Sequence, residues 1–129
     1  MTTVATLDQM EYIANSGEQI VKTTTAAPIA AILPALTPMK RDANKKLVPC
    51  TAIADVVVGL TVPGAKSDYN GLVGYPINGS DFAISVYTKA SIYGDKVNFA
   101  LVTDADTQLK KEAMFDRTGI DIVFVAAGF

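Results

Sequence analysis

Proline and turn residues cut this chain into segments that suit short strands better than helices. Pro34, Pro38 and Pro49 stand close together. Each lacks a backbone donor, so the strands around them must be short or lie at a sheet edge. Between them, the turn-rich Asp42-Ala43-Asn44-Lys45 separates Leu36-Thr37-Pro38-Met39 from Lys46-Leu47-Val48, which is a hairpin pattern. Asn78-Gly79 adds a second hairpin signal, because a type I′ turn needs positive φ at both central residues.

The remaining apolar runs fit the same β-rich reading. Ile53 to Val62 is almost continuously apolar, interrupted by Asp55 and Gly59, and predicts a buried strand with a bulge or close backbone approach at the glycine. Pro63 to Asp81 begins as a loop, and Leu72 to Ile77 gives a short strand limited by Pro76. Phe82, Ile84 and Val86 alternate with Ala83, Ser85 and Tyr87, the period of a half-buried strand. Ile92 to Leu101 predicts a further strand, irregular at Gly94-Asp95, and Ile120 to Val125 a last one.

The period changes once. Asp104 to Arg117 predicts the one clear helix, with Asp104 and Asp106 at the end where the helix dipole favours anions. Leu109 and Ala113, with Met114 or Phe115, would face the core, and Gly119 would stop the helix. The expected fold is α+β and predominantly β, with short strands and hairpins, one helix near the C-terminus and a flexible N-terminal arm. The expected domain organisation is an arm over 1–28 and a single β-rich domain over 29–129. Within the arm, Thr6 and Gln9 have capping-box spacing, and Leu7, Met10 and Ile13 suggest a short helix ending near Asn15-Ser16-Gly17. The following residues up to Pro28 show no core-facing pattern.

Composition argues against catalysis. The 129 residues include no histidine, which removes the commonest general base, metal ligand and partner of a nucleophile. One cysteine, Cys50, leaves no intramolecular disulfide and reads as a small, partly buried hydrophobe. No phosphate-cradling glycine motif is present, and Asp104 and Asp106 read as helix caps rather than an acid–base pair. We therefore expect no enzyme activity, no catalytic residue, no cofactor and no metal. The N-terminus lacks the pattern of a signal peptide and no apolar run is long enough to span a bilayer, so no membrane partner is expected.

Charge is unevenly spread. The net charge of −2 divides into −2 over residues 1–39, +3 over 40–50 and −3 over 51–129. The basic segment carries Lys40, Arg41, Lys45 and Lys46 around Asp42. No aromatics interleave with these cations for base stacking, so the segment reads as a solvated hairpin edge and no nucleic-acid partner is expected.

Several segments, in order, resemble the lambda-type bacteriophage head decoration proteins. They are Pro34-Ala35-Leu36-Thr37-Pro38-Met39 with Asp42 and Lys45-Lys46-Leu47-Val48, then Val57-Val58-Gly59-Leu60-Thr61-Val62, then Ser85 to Ile92. Lys110 to Phe115 and Thr118 to Val123 complete the series, which spans roughly Thr24 to Val125. The chain departs from the family in a longer segment over Pro63 to Asp81 and a longer N-terminal extension. The resemblance implies a structural capsid decoration protein, a homotrimer on the outer surface of the expanded head at three-fold positions. Its partner would be the major capsid protein, its location the virion exterior after synthesis in the host cytoplasm, and its role resistance to packaged-DNA pressure. It implies a capsid-binding arm at Thr23, Thr24, Thr25, Ala26, Ala27 and Pro28, adding to sheet edges of the capsid protein. Two other readings stand beside it. One is a phage surface or tail adhesin recognising host polymers through the 63–81 loop, and the other a polyanion-binding domain using the Lys40–Lys46 turn.

Overall fold

The computed structural model describes residues 12–14, 17–63 and 74–125. Six strands make one sheet: β1 (Ile20–Ala26), β2 (Pro38–Arg41), β3 (Leu47–Pro49), β4 (Gly59–Thr61), β5 (Phe82–Tyr93) and β6 (Gly119–Val123). One α-helix, α1 (Gln108–Met114), and a 3-10 turn over Gly94–Lys96 lie between β5 and β6. The described residues are therefore mostly β with a single α-helix near the C-terminus, as the sequence predicts.

The strand order is β1-β3-β2-β4-β5-β6, and β1 pairs with β5 as well. Five strands thus close into a ring, with β6 outside it on β5. The weakest joint in the ring is β1 to β3, one parallel bridge between Ala26 and Leu47 backed by the Ala27 amide donating to the Leu47 carbonyl at 3.0 Å. The strongest is β1 to β5, antiparallel along the whole of β1 from Ile20↔Lys89 to Ala26↔Phe82.

The hairpin between β2 and β3 forms as its turn chemistry dictates. Asp42 Oδ1 accepts from the amides of Asn44 (2.8 Å) and Lys46 (3.0 Å), and Lys45 takes φ 66° to reverse the chain. The prolines do keep these strands short, but both strands are interior to the sheet rather than at its edge. Pro38 begins β2 and Pro49 ends β3, so neither interrupts a ladder, and the Pro38 carbonyl is still used by the Cys50 amide at 2.9 Å.

Two apolar clusters share β5. Ala26, Leu33, Met39, Leu47, Ile84 and Val86 fill the ring. Leu36, Leu60, Tyr87, Ile92, Met114, Phe115 and Ile120 belong to the second, which lies under the helix. Adjacent residues Val86 and Tyr87, on opposite faces of β5, are both buried, one in each cluster. Two buried threonines join the layers: Thr61 Oγ1 accepts from the Thr37 amide (2.9 Å), and both hydroxyls donate to the Pro34 carbonyl. Leu36 sits between them at φ 56°, held by its amide to the Thr61 carbonyl and its carbonyl to the Asn98 amide.

Several expectations need correction. Residues 20–26, assigned by sequence to an arm, form β1. They escaped notice because only Ala26 of the seven is buried, so no core-facing period exists to read. The strand expected over 53–62 shrinks to Gly59–Thr61, because Asp55 Oδ2 accepts from the Thr51 and Ala52 amides and holds the preceding residues in a turn. The close approach at Gly59 is real: an added Cβ would lie 2.3 Å from the Tyr87 carbonyl oxygen. Asn78-Gly79 is not a type I′ hairpin, since neither residue has positive φ. Asn78 instead pairs with Ile29 and accepts from the Ser80 amide through its own side chain.

The expected strand over 92–101 is absent; β5 continues to Tyr93 and ends in the 3-10 turn. The helix starts later than predicted, at Gln108, with Thr107 Oγ1 accepting from the Lys110 amide as its cap. Asp104 serves another purpose, accepting from the Ile53 amide at 3.0 Å. Leu109 is 76% exposed rather than core-facing, and Ala113 is also exposed; Met114 and Phe115 carry the packing. Gly119 opens β6 rather than stopping the helix, close against the Thr88 carbonyl oxygen. The short helix expected from Thr6 onward falls mostly outside the described residues, as do the 64–73 part of the predicted loop and Leu72-Val73 of the strand after it.

Cys50 is fully buried, beyond the partial burial expected, and burial pushes its thiol up from 9.0 to about 12, with the Asp55 charge adding to the effect. The folded value lies above the unfolded one. Stability from keeping the thiol neutral is therefore full below about pH 9 and is lost as pH rises toward about 12. Cys50→Ala should accordingly show a smaller fall in urea midpoint between pH 8 and pH 11 than the wild-type chain. A second expectation concerns the glycines. Gly59→Ala should cost about 1–3 kcal/mol in urea unfolding by forcing β4 away from β5. Gly79→Ala, where nothing lies within 4 Å, should be neutral or stabilising by up to about 1 kcal/mol.

Candidate functional site

The site residues expected from the sequence are Thr23 to Pro28, and the fold separates them. Thr23, Thr24 and Thr25 lie on β1 with exposed or half-exposed side chains, while Ala26 is inside the ring. Ala27 donates its amide to β3, and Pro28 is exposed at the start of the segment that leads to β2. What the strand offers is its backbone edge.

The register decides which backbone groups are available. The Val62 amide donates to the Ser85 carbonyl at 3.0 Å, so Ser85 directs its backbone groups toward the β4 side of β5 and away from β1. Thr23, opposite Ser85, is therefore in a non-hydrogen-bonded pair, where side chains approach most closely. The Thr23 Oγ1 to Ser85 Oγ hydrogen bond at 3.0 Å agrees. Alternation then follows: Lys22, Thr24 and Ala26 exchange backbone bonds with β5, and Val21, Thr23 and Thr25 turn theirs outward. β3 takes up the outer edge only at Ala26. Among the described residues nothing pairs with the outward groups of Val21 and Thr23.

The basic hairpin tip stands at one end of this edge. Because β1 and β3 are parallel with Ala26 opposite Leu47, the residues before Leu47 lie toward the residues before Ala26. Lys46 reaches Asp81, the residue before β5, at 2.7 Å, and this partner holds the lysine's pKa above its ordinary value. Since β1 lies between β3 and β5, that ion pair spans the C-terminal end of β1. Lys40 is also engaged, 3.1 Å from Asp55. The Thr51 amide, Lys40 and the Ala52 amide together hold the Asp55 carboxyl below its ordinary value. Arg41 and Lys45 remain exposed; the Arg41 guanidinium donates to the Lys45 carbonyl at 2.7 Å, which fixes the tip. Lys22 is exposed midway along β1.

Sequence reading found the threonine run and the cations separately and missed Val21 and Lys22. Only the register links them, because the edge is defined by which amides face out. For catalysis the described residues bring together no group of three or more His, Cys, Asp and Glu side chains that could hold a metal, and no helix among them is long and apolar enough to cross a membrane. The loop proposed for host-polymer binding lies largely outside the described residues.

No family model matches the sequence, and the search of curated proteins finds no match.

The register makes a sharp prediction. Thr23→Pro removes an amide that faces outward, at a strand-edge position that tolerates proline, and should change stability by no more than about 1 kcal/mol. Thr24→Pro removes an amide bonded to β5 and should cost about 3 kcal/mol. Urea denaturation of the two variants distinguishes them.

Proposed function

We propose that this chain is a structural decoration protein of lambda-type phage heads, which binds the outer surface of the expanded capsid as a trimer. The observation that carries this reading is the open outer edge of β1 at Val21 and Thr23, within a closed β ring. An edge of this kind gains affinity from backbone hydrogen bonds when a partner strand is added and needs no deep pocket. It coincides with the threonine run to which the family resemblance assigns capsid contact, and the ordered resemblance from Pro34 to Val123 adds support.

The proposal differs in one respect from a free arm that folds on its target. A strand already fixed on β5 gives up little conformational entropy on binding, so each copy binds more firmly than a disordered arm would. Three such edges on one trimer then act through effective concentration, commonly worth 10²–10⁴-fold when all three can engage. An uncharged groove formed by Pro28 to Pro34 with Ala100 and Leu101, including exposed Ile32, supplies apolar surface suited to contact between copies.

Two measurements test the reading. Mass determination in solution should return three times the 13.6 kDa chain mass. Co-sedimentation with heads of the encoding phage should show binding to expanded shells and not to unexpanded ones. A monomer that ignores both kinds of shell ends the proposal.

A further inference from the structure

Resting on that reading of the β1 edge, we infer that the strand it accepts is acidic: an extended polypeptide segment bearing carboxylates, recognised by Lys22, Arg41 and Lys45. The backbone edge by itself would accept any extended chain, because every residue offers the same amide and carbonyl. Selection must come from side chains beside the edge, and the charged ones on β1 and the β2–β3 tip that form no ion pair among the described residues include Lys22, Arg41 and Lys45.

Three observations place the charge there. Lys22 lies on β1 between Val21 and Thr23, the two residues whose outward backbone groups meet no partner among the described residues. The parallel β1–β3 bridge brings the hairpin tip to the Thr25 end of the same edge. Of the four cations of that hairpin, Lys40 and Lys46 are tied to Asp55 and Asp81, whereas no ion pair is formed by Arg41 or Lys45 among the described residues. Asp42 also lies in the tip, but its Oδ1 is taken by the amides of Asn44 and Lys46, and it caps the turn. At the other end of β1 the Lys89 ammonium is 2.9 Å from Glu18. An entering strand therefore meets the positive charge of Lys22 and, at the tip, two cations against the single carboxylate of Asp42. Like charges placed beside one another across a strand pair are destabilising and opposite charges favourable, so a basic segment is rejected by the same residues.

A nucleic acid is the competing polyanion. It would find cations here but no use for the outward amide and carbonyl groups of Val21 and Thr23. No described aromatic side chain interleaves with Arg41, Lys45 or Lys22 in sequence to stack a base. The pairing of an open strand edge with a basic tip suits an acidic strand better.

The test is amide NMR titration of the full chain at low salt with a synthetic capped peptide, Thr-Glu-Val-Glu-Val-Glu-Thr. The controls are the same peptide with lysine in place of glutamate and a twelve-nucleotide thymidine oligomer. The glutamate peptide should shift and protect the Val21 and Thr23 amides and perturb Arg41 and Lys45. The triple variant Lys22→Glu, Arg41→Glu, Lys45→Glu should weaken it at least about tenfold and favour the lysine peptide instead. Thr23→Pro should abolish binding while the chain stays folded. Equal binding of both peptides, binding elsewhere, no binding at millimolar peptide, or tighter binding of the oligomer at the same amides each overturns the inference. Phage heads separate it from the reading beneath it. If the triple variant still binds expanded heads as tightly as wild type, the acidic-strand inference falls and the decoration reading stands. If the wild-type chain binds the glutamate peptide but no head, the decoration reading falls and the edge assignment stands.

Discussion

One strand organises this molecule. β5 is twelve residues long and uses both edges: β1 runs along one, and β4 followed by β6 along the other. The burial of both Val86 and Tyr87 means that it has no solvent face at its centre, so an apolar layer forms on each side. Tyr12 extends this economy to the start of the described chain. Its hydroxyl lies 3.0 Å from that of Tyr87, and its carbonyl accepts from the Tyr93 amide. A strand buried on both faces and paired on both edges tolerates little shift in register, since slipping by one residue would exchange the occupants of the two cores.

That rigidity explains how the short, proline-limited strands survive. β3 and β4 have three residues each, too few to be stable on their own. They persist because the ring closes and because Thr37, Thr61 and Asn98 satisfy one another and the Pro34 carbonyl in the space between layers. Fully satisfied buried polar groups of this kind fix one arrangement among several of similar apolar burial. The ring also determines what is left over. With β3 joined to β1 only at Ala26, the rest of the outer edge of β1 stays open, and the candidate site is a by-product of how the ring shuts.

Those parts of the fold that depend on local chemistry were legible in the sequence. The turn-rich Asp42-Ala43-Asn44-Lys45 predicts the β2–β3 hairpin; alternation from Phe82 predicts β5; the change of period at Asp104 predicts the helix. Other features turn on distant partners. β1 is exposed along most of its length and is a strand because of β5, so no pattern in Ile20 to Thr25 announces it. Val56 sits in an apolar run yet is 77% exposed, because the Asp55 carboxylate organises a turn where hydropathy alone predicts a strand. Leu109 fails as a core residue because the helix is only seven residues long and is anchored by its last turn. The candidate site was half visible. Threonines and lysines stand out in the sequence, but their relation rests on the parity of the β1–β5 ladder, and that parity is read from the bond of Val62, the residue after β4, to Ser85.

The separation between β1 and its partner has a consequence for timing. Thr23 and Ser85, which face each other across the ladder, are 62 residues apart in the chain. During synthesis β1 emerges long before β5 exists, and pairings across such a span form slowly because the intervening loop must close first. Until then Ile20 to Thr25 has no ladder to hold it extended and no defined inner or outer edge. The open edge therefore comes into being only after β5 has been made. A chain that stops short of β5 has no such edge to present.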